Sequence, residues 1–305
     1  MPLSITERTP TSREPSTRGS DLDLPPPEQL ARGDFEMVVR RLADDLAFGS
    51  DASRLIGGGI EYAGSRPYVP GDPVRSIDWK RTARTGVAHI REYEALKRTT
   101  VHVVVDTSAS MAVRSSARSK HDLAIWIASA VGLLALRRLS PVAIVGGGER
   151  RTPPHGTLSR GDLHSAIDPL RRHAFDEGTS LAERLDLAVT RAERSSVFIV
   201  LSDLHDPQCM PALRRASRNH DCAVVHLVDP AEASPLRAGF VRAREAETGE
   251  TFLATGRRPL LELEAIRREL LRSGADVLRL STDRPFIPPL RHFLAARGAS
   301  RRGRG

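Results

Sequence analysis

The sequence predicts an α/β fold: a doubly wound, mostly parallel sheet, preceded by a small N-terminal helix and β-hairpin module. Three observations lead there. From Thr100 onward, short runs of Val, Ile and Leu alternate with helical patterns, as successive strand–helix units require. The runs are apolar without alternation, which marks strands covered on both faces. Upstream, turn signals at Gly57-Gly58-Gly59 and Pro70-Gly71-Asp72 separate short segments, the texture of hairpins.

The elements follow in order. Residues 1–27, rich in Ser, Thr and Pro and ending in Pro25-Pro26-Pro27, have the composition of an unstructured leader. They hold no apolar run, so no secretory signal is expected. Phe35, Val38, Val39, Leu42 and Leu46 recur at helical spacing, with Asp34 placed to cap that helix. Residues 28–98 therefore form a helix and hairpin module, and residues 99–297 the α/β domain. Its strands are expected at His102–Val105, Val142–Val145, Val197–Leu201, Ala223–Val228 and Val277–Leu280. Its helices are expected at Leu123–Leu139, Leu181–Ala192, Pro211–Arg218, Leu260–Leu271 and Phe286–Ala296. Leu123–Leu139 is apolar nearly all round and should be buried. Arg297–Gly305 reads as a frayed basic tail, with residues 298–305 outside the domain.

Composition narrows the function classes. Of 305 residues 40% are apolar and 28% charged, an ordinary globular balance. Aromatics make up only 4%, so Leu, Val, Ile and Ala must fill the core. The net charge of +8 invites nucleic acid as a partner. Yet only Lys80, Lys97 and Lys120 are lysines among the 46 basic residues, so the charge reflects a general use of arginine. No aromatic-interleaved basic face accompanies it, and nucleic-acid binding is not expected. Cys209 and Cys222 have neither metal nor disulfide-framework spacing, which fits a reducing cytoplasm. The longest apolar stretch, Leu123–Leu136, falls short of the roughly 20 residues that span a bilayer, so no membrane insertion is expected.

The polar residues with chemical potential gather at strand ends, where open parallel sheets bind ligands. The strand ending at Val105 runs into Asp106-Thr107-Ser108-Ala109-Ser110, and the one ending at Leu201 runs into Ser202-Asp203. Gly178-Thr179-Ser180 opens the helix beginning near Leu181. Asp106, Ser108, Ser110, Thr179 and Asp203 make a hard, all-oxygen set suited to Mg²⁺ or Mn²⁺ and not to Zn²⁺. Three of the five are neutral hydroxyls. A divalent ion held by them would keep positive charge and attract an acidic side chain from a partner, which favours binding over catalysis. The bland alternative is that Ser108 and Ser110 cap the next helix and Asp203 merely ends a strand.

Asp-x-Ser-x-Ser, a later Thr and a strand-terminal Asp, in this order, resemble the metal-ion-dependent adhesion site of von Willebrand factor A domains. Further upstream stand Gly59-Ile60-Glu61-Tyr62, Arg66-Pro67-Tyr68-Val69-Pro70-Gly71-Asp72, Arg75-Ser76-Ile77-Asp78-Trp79 and Ala83-Arg84. These segments are similar to the signature of the DUF58 family, bacterial proteins with a von Willebrand A-like region after that motif. The resemblance implies a soluble partner of a MoxR-type AAA+ ATPase, a metal-dependent adaptor in protein maturation or complex assembly. It marks Glu61, Arg66, Tyr68, Gly71, Asp72, Arg75, Asp78, Trp79 and Arg84 as signature residues, structural or docking. Asp72, Arg75, Asp78 and Arg84 are expected to form an ion-pair network around Trp79, with Gly71 at positive φ in a turn.

Rival chemistries leave weaker traces. A haloacid dehalogenase-type enzyme needs a carboxylate two residues after its first Asp, and Ser108 stands there. A metal-dependent hydrolase or phosphatase on the same ion is the alternative function, with His205 the one evident candidate base. No nucleotide-binding glycine motif is present, and Gly146-Gly147-Gly148 reads as a loop or bulge.

Overall fold

The structure is a computed structural model; it describes residues 21–48, 60–95, 99–147, 156–175, 180–192, 196–206, 208–233, 240–244, 251–255 and 263–300. Five strands form the central sheet: β3 (Val101–Val105), β4 (Val142–Gly146), β5 (Val197–Ser202), β6 (Asp221–Val228) and β9 (Asp276–Ser281). Their order is β4-β3-β5-β6-β9, and every pairing is parallel. The chain steps outward from β3 to β4 and then crosses back to β5 on the other side. That reversal places a topological switch point at the carboxyl ends of β3 and β5, the crevice where such sheets bind ligands.

Helices cover both faces. On one lie α1 (Arg32–Ala47), α3 (Lys120–Arg137), α4 (Arg160–Arg171) and α9 (Ile287–Ser300), packed on Val103, Val105, Ile199, Leu201 and Val225. On the other lie α5 (Leu181–Arg191), α6 (Cys209–Asn219) and α8 (Leu263–Ser273), packed on Val104, Phe198, Val200 and Val224. Helix α3 is buried all round, as its composition requires, because α1 covers its outer side. There the Phe35 ring stacks on Trp126 at 5.1 Å.

The small module consists of β1 (Ile60–Pro67) and β2 (His89–Ala95), an antiparallel pair, joined through α2 (Trp79–Thr85). Four features were not expected from the sequence: α2, where only hairpin strands were foreseen, α4, the short α7 (Pro230–Ala233), and the hairpin of β7 (Phe240–Arg244) and β8 (Thr251–Thr255). Among the described residues no helix is long and apolar enough to cross a membrane.

Three local expectations are corrected. Asp34 does not cap α1: the helix begins two residues earlier, Ala31 holds the cap position, and Asp34 sits in the first turn. Residues 21–27 are ordered, because the Asp21 carboxylate accepts from the amides of Phe286 and Ile287, both at 2.7 Å, and so caps α9. The buried guanidiniums of Arg118 and Arg171 bond the carbonyls of Asp21 (2.8 Å) and Pro27 (3.1 Å). Arg297 is not part of a frayed tail. It is buried in α9 and ties the Asp221 carboxylate (2.6 Å), the Asp276 carboxylate and the Cys222 carbonyl (3.2 Å) at the start of β6 and β9.

Candidate metal centre

Strand β3 delivers Asp106 to the switch point, and the sheet holds it there: its amide donates to the Leu201 carbonyl at 2.9 Å. The chain then turns sharply, with the Ser108 amide donating to Asp106 Oδ1 at 2.9 Å. One short 3₁₀ turn, Ala109–Ala112, brings the Ser110 hydroxyl to 2.9 Å from that of Ser108. Behind the loop, His173 Nε2 lies 3.0 Å from the Thr107 carbonyl. Gly147, just past β4, lies against the end of β3, its amide donating to the Val105 carbonyl at 2.7 Å. A Cβ there would lie 3.1 Å from the Val105 oxygen and 3.2 Å from Asp106 Cα, so a side chain would press on the backbone that leads into Asp106. The Gly147 carbonyl accepts from the amide and hydroxyl of Ser180 at 3.0 and 3.2 Å. Thr179 itself lies outside the described residues.

From β5 come Ser202 and Asp203. The Ser202 hydroxyl donates to Asp106 Oδ2 at 2.5 Å and accepts from the Leu204 amide at 2.8 Å, which stitches the two loops together. Leu204 is buried at φ +60°, left-handed backbone that costs a non-glycine residue about 1 kcal/mol. That strain sits in the turn that presents Asp203.

Asp203 has a cationic partner absent from the sequence reading. Lys120, the first residue of α3, is fully buried, and its ammonium donates to Asp203 Oδ2 at 2.7 Å. It also donates to Oε1 and Oε2 of Glu232 in α7, at 2.6 and 2.8 Å. The start of α3 is fixed by a reciprocal cap, with the Asp122 amide donating to Ser119 Oγ at 3.0 Å and the Ser119 amide to Asp122 Oδ2 at 2.8 Å. Capping of the next helix therefore falls to Ser119. Ser108 and Ser110 do not perform it, and Ser108 makes no side-chain cap bond even at its own 3₁₀ turn. His205 Nδ1, on a partly exposed side chain, lies 3.3 Å from Asp203 Oδ2.

The electrostatics follow from burial. Loss of water, and then the negative charge of Asp203, push the Asp106 carboxyl up to about 6, although the Ser202 hydroxyl and the Ser108 amide pull against the rise. Burial alone would raise Asp203 too, but Lys120 foremost, and then His205, hold it below the usual carboxylate range. Asp203 and Glu232 thus share the one buried Lys120 ammonium, and the buried Asp106 lies beside Asp203. A divalent cation would offset carboxylate charge that the single ammonium leaves unmatched, and the oxygen-rich donors fit Mg²⁺ or Mn²⁺. The residues present fit such an ion: Asp106, Ser108, Ser110 and Asp203 converge on the switch point. A second group, Asp203, His205 and Glu232, offers ligand atoms within 4.8 Å of one another.

The signature residues build a different feature. Arg66 clamps Asp72 through two bonds of 2.7 and 2.8 Å, which holds the Asp72 carboxyl below its ordinary range. The Val69 amide also donates to Asp72, at 2.9 Å, and Gly71 takes φ +109°, the positive value the turn demands. Asp78 caps α2 by accepting from the Arg81 amide at 3.2 Å. Among the described residues no ion pair joins Asp72, Arg75, Asp78 and Arg84 to one another around Trp79. Asp72 is engaged by Arg66 and Asp78 by the helix end, while Arg75, Arg84 and Trp79 face solvent, Trp79 at 66% exposure. Tyr68 is half-buried, with its amide on the Ala88 carbonyl at 2.8 Å, and Glu61 lies in β1 opposite Glu94.

The family described as "Protein of unknown function DUF58" matches residues 64–274, from β1 to the end of α8. The chain belongs to the DUF58 family. Relatives of this DUF58 protein include the uncharacterized proteins Rv1480 of Mycobacterium tuberculosis and Mb1516 of Mycobacterium bovis. Each is 29% identical over 297 residues, with 93% of this chain and 93% of the relative covered. A solved structure, the RO (RSR) protein of Deinococcus radiodurans, is similar at 16% identity and a TM-score of 0.36. That match covers 90% of this chain and 50% of the Deinococcus chain, so the DUF58 protein spans about half its length.

Sequence reasoning missed Lys120, Ser202 and Glu232. One signal pointed to Lys120: it is one of three lysines in a chain whose other basic residues are all arginine. Glu232 left no comparable trace, because it reaches the site from a four-residue helix far along the chain.

Proposed function

We propose that this DUF58 protein is a metal-dependent protein–protein interaction adaptor with a von Willebrand A-like site. The observation that carries the reading is the meeting of Asp106 and Asp203 at the switch point, buried, edged by the hydroxyls of Ser108 and Ser110, and short of positive charge. Mg²⁺ or Mn²⁺ held there by two carboxylates and neutral hydroxyls, with Thr179 as the remaining ligand, keeps an open position for a partner's carboxylate. By family resemblance the partner is a MoxR-type AAA+ ATPase, or a client that the pair remodels. A second contact face fits the same role. Val69, Val74, Trp79 and Val87 are all exposed on the connection between β1 and β2, beside the exposed Arg75, Lys80, Arg81 and Arg84.

Pull-down of a MoxR-type ATPase by the full chain, with Mg²⁺ and with EDTA, tests the reading. Capture is expected to be lost with EDTA and in Asp106→Ala and Thr179→Ala, while far-UV circular dichroism stays unchanged. Trp79→Ala is expected to weaken capture without altering Mn²⁺ binding. Capture indifferent to EDTA and to Asp106→Ala overturns the metal-bridged adaptor. One observation favours a second reading, a metal-dependent hydrolase: His205 stands beside Asp203 with its side chain reaching solvent. Turnover of phosphate esters by purified protein with Mg²⁺, lost in both Asp106→Ala and His205→Ala, would replace the adaptor by that enzyme.

A further inference from the structure

We propose that Lys120 is a built-in cation that occupies a second cation position beside the candidate metal site and so limits the site to a single divalent ion. The inference deepens the metal-dependent reading above and rests on it. It starts from geometry. Asp203, His205 and Glu232 present ligand atoms within 4.8 Å of one another, close enough to share one cation. The Lys120 ammonium is already bonded to two of the three, at 2.7 Å to Asp203 and at 2.6 and 2.8 Å to the two oxygens of Glu232. Lys120 is fully buried and Glu232 nearly so, so neither charge is met by bulk water.

The choice of residue agrees with that role. An ammonium is a compact point charge with three donors, whereas a guanidinium is a flat fork. The ammonium meets three carboxylate oxygens here, one on Asp203 and two on Glu232, as a small ion with convergent ligands would. In a chain that otherwise relies on arginine, this buried position is one of three lysines.

Charge favours a cation beside the ammonium. Asp106, Asp203 and Glu232 carry more negative charge than Lys120 offsets, which leaves room for a divalent ion next to it. Asp229 close by adds to that negative charge, with its oxygens held by the Ser115 amide (2.9 Å) and hydroxyl, the Ala231 amide (3.0 Å) and the Thr282 hydroxyl (3.3 Å). Without the ammonium, three carboxylates share the crevice. The Asp203, His205 and Glu232 group then opens to a second ion, with His205 on the solvent side as the route in. The same ammonium joins the start of α3 to the Asp203 loop and α7, so it also positions the carboxylate nearest Asp106.

The test counts bound Mn²⁺ on the full chain from the loss of the free-ion electron paramagnetic resonance signal. Wild type is expected to bind one ion, and Lys120→Met two. Glu232→Gln, which keeps the ammonium but removes one negative charge, is expected to bind one ion about tenfold more weakly, the scale of a neighbour that tunes a metal ligand. A merely structural role would move the melting temperature of Glu232→Gln and leave its Mn²⁺ affinity alone. Folded Lys120→Met that binds one ion or none, where wild type binds one, overturns the proposal. Should Lys120→Met fail to fold, unchanged affinity in Glu232→Gln overturns it instead. Wild type that binds no ion while Lys120→Met binds one would sink the adaptor reading and the one-ion limit, and keep only the lysine's place in a cation position; no ion on either sinks all three.

Discussion

Replacing Asp106 by Asn should stabilise the metal-free protein at neutral pH and abolish its response to Mg²⁺. The magnitude follows from the buried carboxyl. Its value of about 6, against 3.8 for the free side chain, is a rise of about two units, worth about 3 kcal/mol at about 1.36 kcal/mol per unit. The sign follows from proton linkage. Below 3.8 the folded and unfolded chains both carry the proton, and the group is neutral to stability. As pH rises through about 6 the folded state must hold a buried charge beside Asp203, and stability is lost. Asn has the same shape and no charge. Its oxygen can still accept from the Ser108 amide, but the bond from the Ser202 hydroxyl must rearrange, at a cost of about 1 kcal/mol. The variant should therefore exceed wild type by about 2 kcal/mol at pH 7.5 in EDTA and trail it by about 1 kcal/mol near pH 4. Urea unfolding at the two pH values measures both. Added Mg²⁺ should then raise the wild type and leave the variant unchanged. A variant less stable than wild type at both pH values, by the same amount, would refute the buried-charge reasoning.

Other positions make independent claims. Leu139 ends α3 in the left-handed conformation, φ +59°, with its side chain exposed, so Leu139→Gly should raise stability by about 1 kcal/mol in thermal or urea unfolding. Ser119→Ala removes the reciprocal cap of α3 and should cost about 1 kcal/mol; it should also weaken Mn²⁺ binding, because Lys120 is the next residue. Arg297→Ala should cost about 2 kcal/mol by releasing two carboxylates at the start of β6 and β9. Removal of residues 301–305 should leave the urea midpoint where it was, and an equal loss from both changes would return Arg297 to the tail.

The sheet was legible because its strands are buried on both faces. Val103–Val105, Val142–Val145 and Val197–Leu201 are uninterrupted apolar runs, and such runs place themselves in a covered parallel sheet. Helix α3 declared itself in the same way, by being apolar on every side. Helix α4 did not. Leu163, Ile167 and Leu170 keep helical spacing, but Pro169 lies inside the helix and argues against it. The capping of α9 by Asp21 spans 265 residues, and nothing local in a polar, proline-rich stretch announces it.

The candidate site divides along the same line. Periodicity tells which face of an element is apolar; it does not tell which polar residue meets which. Asp106 and Asp203 could be paired from the sequence because a topological rule does the pairing: the switch point makes neighbours of two strand ends, whatever the distance between them along the chain. Glu232 has no such rule behind it. It reaches Lys120 from the turn after β6, 112 residues away, and the contact exists only because α7 folds back over the site. Unlike Asp229, which takes its donors from backbone amides and hydroxyls, Glu232 depends on Lys120, and removal of the lysine would leave it buried without a counter-charge. A long-range ion pair of that kind is visible in a sequence only through an anomaly of composition. Here the anomaly was a lysine among arginines, at a position where one compact ammonium meets an oxygen of Asp203 and both oxygens of Glu232.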